Sequence, residues 1–365
     1  MAEIQEKSKD TVLYGPQWYN IDPKVLSELK ELKPHKPVMA ACLAWVSIIL
    51  IVKGFIYLDQ WLLYPIVIFF IAGRAGVFLQ LAHEAAHSLI SKGKFNNWFS
   101  NWICCYPIGL SHKEYQDPHL RHHACTNQAC DPLSDSEKYK VCNIKNPQLW
   151  LLLLKDIVGL TAIKVRFLYD QPIANKYKKD IEDYLETEEG YASYHAQTNS
   201  FFQSLKKYFF IAGVQLVILS ALFNFNVVHY ILLWLMPLIT AHMFLMRIRG
   251  IAEHGLGIQM GMTNLEEKTR GTYFTRSFGT PVNHYKIPFL NTLERILIGS
   301  LKVYYHHEHH LFPKVPYYNL AKVNKLISSQ MKQNNPYIFA KGYFDCLFFN
   351  LNPTPPAPHP RSNFP

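Results

Sequence analysis

The chain reads as an all-α integral membrane protein. It should have four transmembrane helices in two hairpins and a cytosolic helical cap that holds a metal site. Three observations predict this. The 365 residues are 49% hydrophobic and only 18% charged. The apolar residues are bunched into four long runs, and 17 histidines recur in clusters at helical spacing. The pattern His-x-x-His-His would arise about 0.04 times by chance at this histidine content, yet it occurs twice.

Residues 1–37 read as a polar cytosolic arm that ends at Pro34 and Pro37, where proline punctuates the entry to the first span. Its beginning, Met1 to Asp10, has no apolar stretch of the kind that leads to a cleavage site. Residues 38–58 and 61–82 form the first hairpin, separated only by Asp59-Gln60. Residues 208–223 and 227–246 form the second, separated by Asn224-Phe225-Asn226. Each run approaches or reaches the ~20 residues that a helix needs to cross a bilayer. Helices in the core of a soluble protein rarely run this long without a polar face. Lys53 can snorkel to the interface, whereas Arg74 sits deeper and is either functional or paired to orient its helix.

Between and after the hairpins lie shorter pieces. Trp98 to Leu110 is apolar but too short to span and suits an interfacial or re-entrant segment. In 149–168, Lys155, Asp156, Lys164 and Arg166 interrupt an apolar run, as in an amphipathic helix lying on a membrane. Residues 170–200 are polar and loop-like or short-helical, and the tail from Asn352 to Pro365 is Pro-rich. The membrane and catalytic domain is expected over 38–325, followed by a C-terminal cytosolic segment over 326–365.

Charge supports the topology. The net charge of +10 comes from the arm, the central segment 88–207 and the C-terminal third, while the hairpin tips carry no Lys or Arg. That is the positive-inside pattern, so anionic headgroups rather than nucleic acid are the expected partner of the excess charge. The seven cysteines contain no CxxC pair and read as free thiols. Two hairpins also put an even number of crossings between any two histidine clusters, so all three fall on one side of the membrane.

Those clusters are His83-x-x-x-His87, His119-x-x-His122-His123 and His306-x-x-His309-His310. Positions i, i+3 and i+4 of a helix share a face, so each cluster can aim two or three imidazoles at one point. Eight imidazoles exceed the roughly four ligands at which a zinc ion closes. Two ions in a nitrogen-rich cage fit better, and imidazole suits iron, copper or zinc. Two other readings compete. His83-Glu84-Ala85-Ala86-His87 matches the H-E-x-x-H signature of a zinc protease, but that leaves both other clusters unemployed. A histidine-lined transporter or receptor would place its ligands near mid-bilayer, and these lie just outside the spans.

The run Gly109-Leu-Ser-His-Lys-Glu-Tyr-Gln-Asp-Pro-His119-Leu-Arg-His122-His123, followed by Thr126-Asn127 and Asp131-Pro132, closely resembles the membrane fatty acid desaturases. So does Tyr305-His306-His-Glu-His309-His310-Leu-Phe-Pro-Lys-Val-Pro-Tyr-Tyr-Asn-Leu320. Arg247-Ile-Arg-Gly-Ile-Ala-Glu253-His254-Gly255 is similar to the segment that carries the family's additional lone histidine. The resemblance covers roughly residues 38–325. It implies a non-haem di-iron centre held by His83, His87, His119, His122, His123, His254, His306, His309 and His310. The reaction it implies is O2-dependent insertion of a C=C bond into a lipid acyl chain.

Physical logic agrees, since oxidising an unactivated CH2 needs power that side chains lack. No His-Pro-Gly-Gly haem segment is present, so the two electrons should come from a separate ferredoxin- or cytochrome b5-type protein. Glu84, Glu253, Glu308 and Asp131 are candidate acceptors for the outer N–H groups of ligand imidazoles, with Asp117 similar. His307, His112, His242 and His284 read as ordinary or supporting histidines. The alternative chemistry is hydroxylation or ketolation of a carotenoid, sphingolipid or alkane, which begins with the same hydrogen abstraction. The expected location is the bacterial inner membrane or the endoplasmic reticulum, with the active site facing the cytosol.

Overall fold

The computed structural model describes residues 19–126, 146–163, 201–259, 288–334, 342–344 and 347. Among them every regular element is helical. Asp131, His284, Lys164, Arg166, the 170–200 segment and the Pro-rich tail lie outside the described residues.

Four helices are long and apolar enough to cross a membrane: His35–Leu58, Trp61–Ala86, Leu205–Phe223 and Val227–His254. They match the two expected hairpins. Helices α1 (Pro23–Leu29) and α2 (His35–Leu58) belong to the N-terminal side, and α3 (Tyr64–Ala86) returns from the first tip. Asp59 adopts φ 49° at that tip, a left-handed conformation that Asp tolerates because its short side chain can bond locally. In the second tip Asn224 adopts the same φ, and Asn226 caps the next helix by accepting from the His229 N–H at 3.0 Å.

Helix α2 buries Ala41, Ala44, Ile48, Val52 and Phe55, a stripe at spacings of three and four, while Leu43, Val46, Ile49 and Leu50 on its other faces are exposed. An apolar residue both inside and outside is what a helix in lipid shows, because lipid tails are as apolar as a protein core. Lys53 donates to the Leu222 carbonyl at 2.6 Å and so ties the first hairpin to α7 (Phe201–Phe223).

The short pieces between the hairpins take up the chain as α4 (Lys94–Phe99), a π-helical turn (Ser100–Cys105) and α5 (His112–Cys125). Helix α6 (Pro147–Ile157) is amphipathic as expected: it buries Leu149, Leu153 and Asp156 and exposes Trp150, Leu151 and Leu154.

The fourth span is not one helix. It runs as α8 (Val227–Tyr230), a π-helical turn (Ile231–Leu235), α9 (Met236–Ile239) and α10 (Ala241–Gln259). Pro237 has no N–H to give to the preceding turn, which favours the irregularity there. The break falls at Thr240, whose φ of −117° and ψ of −88° leave the helical region and whose hydroxyl bonds the Met236 carbonyl.

Helices α11 (Pro288–Leu297), α12 (His306–Leu311) and α13 (Tyr317–Asn334) complete the cap. Arg74 is paired rather than exposed to lipid: its guanidinium donates to the Ile296 carbonyl at the end of α11. The expected boundary at 325 falls inside α13, and Tyr343 beyond it bonds Glu253 of α10. At the other end, Tyr19 and Leu29 pack with Leu320, Val323 and Ile327 of α13, so the described part of the arm joins the cap.

Close approach of α11 to α3 depends on Gly73. A Cβ there would stand 2.9 Å from the Leu297 Cα, against backbone that cannot turn aside. Gly73→Ala is therefore expected to lower stability by about 1–3 kcal/mol, as overpacking does. Gly54→Ala, with nothing within 4 Å of the new Cβ, should be neutral or stabilising. Thermal unfolding of the two variants in detergent checks the contrast, and equal midpoints would exclude this packing.

Candidate metal centre

Four elements deliver the nine expected histidines to one place. The last turn of α3 carries His83, and His87 caps its C-terminus. Helix α5 begins with a capping box in which Ser111 Oγ accepts from the Glu114 N–H and the Glu114 carboxylate accepts from the Ser111 N–H. That rigid start, held further by Lys207 donating to Glu114 at 2.6 Å, aims His119, His122 and His123. Helix α10 contributes His254, and α12 contributes His306, His309 and His310.

The nine fall into two groups, each with ligand atoms within 4.8 Å of one another. His83, His87, His119, His123 and His309 form the first; His122, His254, His306 and His310 form the second. Adjacent histidines are split between them. His122 and His123 go to different groups, as do His309 and His310, because neighbouring residues on a helix point about 100° apart.

The contacts between rings test whether metal fits. His87 Nε2 lies 2.9 Å from His119 Nε2, His254 Nε2 lies 2.8 Å from His306 Nε2, and His309 Nε2 lies 3.0 Å from His123 Nε2. His306 Nε2 is also 3.1 Å from His310 Nε2. Two nitrogens bound to one ion at right angles, each about 2.1 Å away, stand about 3 Å apart. A neutral imidazole has one donor and one acceptor, so a ring nitrogen in two such contacts cannot be satisfied by neighbours alone. His83 Nε2 is buried with no hydrogen-bond partner among the described residues. The donor set fits two metal ions.

Burial keeps these rings in the form that binds metal. It pushes His87 down to about 3, and it holds His119, His123, His306, His309 and His310 well below the ordinary imidazole range. Neighbouring imidazoles, which would repel once charged, push the same way. The neutral ring is the ligand.

The carboxylates have different surroundings. Glu253 is held by Arg249, whose Nε stands 3.0 Å from both carboxylate oxygens, and by the Tyr343 hydroxyl at 3.2 Å. Its other oxygen stands 3.5 Å from His306 Nδ1, on the outer side of a ligand ring. Glu84 accepts the Tyr317 N–H at 2.9 Å and lies 3.7 Å from His83 Nδ1. Glu308 accepts from the Asn324 side chain. Gln80 is closer to His83 than Glu84 is, with Nε2 at 3.2 Å from Nδ1. Sequence reasoning missed it, although a residue three before His83 shares its helix face. Tyr115 was also unanticipated and stacks on His119 with centroids 5.5 Å apart. His307 is buried but belongs to neither group, and His242 faces the Ala72 carbonyl at 3.3 Å.

A cavity of about 720 Å3 opens onto both groups. His83, His119, His122, His254 and His306 line it, and Leu79, Ile108, Leu110, Leu238, Met243 and Met246 supply much of the rest. From Leu235 to His254 one face of the fourth span lines it at spacings of three and four. Gln215 lines it too, with its side chain spent on the carbonyls of Tyr106 and Pro107 and on Tyr230 and Trp234.

Comparison with known proteins agrees with this architecture. The family model described as fatty acid desaturase matches residues 59–342, and the chain belongs to that family. It is 24% identical over 279 residues to the dihydrorhizobitoxine desaturase of Bradyrhizobium elkanii, covering 73% of this chain and 68% of that protein. The class is therefore a membrane-bound, histidine-rich oxidoreductase of desaturase type.

One supporting histidine gives a pH test. His112 is buried, its Nδ1 lies 2.8 Å from Ser100 Oγ, and burial lowers its pKa from 6.5 to about 4. Between those values the unfolded chain takes up a proton that the folded one refuses, so stability falls as pH drops and is unaffected above about 6.5. Wild type should lose up to about 1.4 kcal/mol per pH unit more than His112→Asn across that window. Parallel slopes in thermal melts from pH 6.5 to 4.5 would remove the effect.

Proposed function

We propose that the protein is an O2-dependent di-iron desaturase that introduces a C=C bond into a lipid acyl chain. The observation that carries the reading is the meeting of two all-imidazole groups in the wall of one largely apolar cavity. When bound there, two irons supply the oxidising power for an unactivated C–H bond, which side chains cannot. In the overall balance the substrate gives up two hydrogens, O2 takes these with two electrons and two protons, and two waters leave.

The chain's own residues do the rest. The nine imidazoles would hold the ions without adding negative charge. The aliphatic wall beside His83, His119 and His254 aligns a methylene and keeps water away. Glu253, fixed by Arg249 and Tyr343, orients His306. The electrons come from a separate ferredoxin- or cytochrome b5-type protein, and the metal end of the spans faces the cytosol, the side favoured by the Lys and Arg distribution. A zinc-protease reading of His83-Glu84-Ala85-Ala86-His87 leaves His119, His123 and His309 of the same group without a task.

Two measurements test this. Purified protein should hold about two irons per chain, because nine ligands exceed one ion's capacity. His254→Ala should lower iron content and product together while the spans remain inserted. His242→Ala, whose ring faces a backbone carbonyl instead, should keep its iron. Equal iron in the two variants would take His254 out of the site. Lipid profiles of cells with and without the protein should show a new species two hydrogens lighter. A gain of one oxygen instead would establish the hydroxylase chemistry.

A further inference from the structure

An ionisable side chain inside a membrane span is costly unless something satisfies it, so it marks a functional site whose partner must be named. His242 lies in the fourth span, is only 5% exposed and lines the cavity, yet it belongs to neither imidazole group. Its Nδ1 faces the Ala72 carbonyl at 3.3 Å. A carbonyl only accepts, so Nδ1 carries the ring proton and donates it to that bond. In the neutral ring the other nitrogen, Nε2, is then an acceptor. Among the described residues no group bonds to it.

Gln215, Arg247, Arg249 and Glu253 share this wall and are spent on other protein groups, and Leu238, Met243 and Met246 beside His242 on the span are apolar. A buried acceptor left without a donor is costly, so the molecule that fills the cavity is expected to bring one. Two unbroken helices fix how far that donor lies from the metal centre. His242 precedes His254 by about three turns of α10, and Ala72 precedes His83 by about three turns of α3. At ~5.4 Å per turn, the ring stands roughly 17 Å along the spans from the imidazole groups. An extended chain advances ~1.2 Å per bond, so this distance is roughly 14 bonds.

We propose that His242 is a specificity-determining residue whose Nε2 accepts a hydrogen bond from a hydroxyl on the substrate's hydrocarbon chain, roughly 14 bonds beyond the methylene that reacts. The substrate class is then a remotely hydroxylated acyl chain rather than a plain one. A site built to pair with a hydroxyl discriminates against the analogue that lacks it, because the acceptor is then left bare. An ordered water at Nε2 is the competing occupant, and it would make the wall indifferent to a hydroxyl. The inference rests on the desaturase reading for the acyl chain and the place of reaction. Its test needs neither iron nor turnover.

Binding of tritiated hexadecanoic acid to the purified full chain is measured by scintillation proximity. The competitors are pairs of saturated fatty acids from hexadecanoic to hexacosanoic acid, one of each pair ending in a methyl and the other in a terminal hydroxyl. At one length the hydroxylated member should compete about fivefold better than its plain partner, the worth of one hydrogen bond. His242→Phe keeps a ring and removes the acceptor, so it should abolish that preference while still binding the plain acids, which reports a folded cavity. His242→Gln, whose amide oxygen accepts, should retain part of the preference. Equal competition within every pair would overturn the proposal, assign Nε2 to water and leave the acyl-chain reading standing. A preference that survives in His242→Phe would also overturn it, since the hydroxyl is then read elsewhere in the wall. Failure of both members of every pair to bind the wild type would overturn the acyl-chain reading and this inference with it.

Discussion

The structure depends on one constraint: nine imidazoles must converge, eight of them buried, with the Nε2 atoms of several pairs about 3 Å apart. Left to themselves such groups would disperse or take up protons, since a buried unsatisfied nitrogen and a cluster of like charges are both costly. The rings stay because each is mounted on a helix whose direction is set elsewhere. The first cluster is carried by a membrane-length helix, the second by a helix locked at its start by a capping box and an ion pair, and the lone histidine by the fourth span. A metal ion would turn the close nitrogen contacts from a liability into coordination.

The supporting groups follow from the same constraint. Glu253 stands beside His306, and a carboxylate so buried needs its own partners, which Arg249 and Tyr343 provide. Glu84 sits against a backbone N–H of α13, and Glu308 against Asn324 of the same helix. The C-terminal cap is thus joined to the metal site through carboxylates, and α13 also packs on the N-terminal arm.

The apolar part of the molecule solves a different problem with the same elements. One face of the fourth span lines the cavity, and His242 on that face also meets the Ala72 carbonyl of α3. The broken course of that span through a π-helical turn and Thr240 lets a single segment serve as membrane anchor, cavity wall and carrier of His254. Buried ion pairs such as Asp156–Arg247 then hold amphipathic helices against it where lipid would otherwise intrude.

Local chemistry made much of this legible from the sequence alone. Length and hydropathy set the four spans and both tips, because a helix in lipid must be apolar for about 20 residues. Spacings of three and four identified the histidine clusters, and the parity of crossings put them on one side. What the sequence did not determine was the partition of the nine rings. Helical rotation says that His122 and His123 diverge, as do His309 and His310, but which ring of another element each meets depends on packing between helices far apart in the chain. The role of Tyr343 and the committed state of Arg247 likewise arise only from contacts across 90 and 91 residues. Those are tertiary facts: sequence periodicity reports which face of a helix is buried, and only the folded chain decides what lies against it.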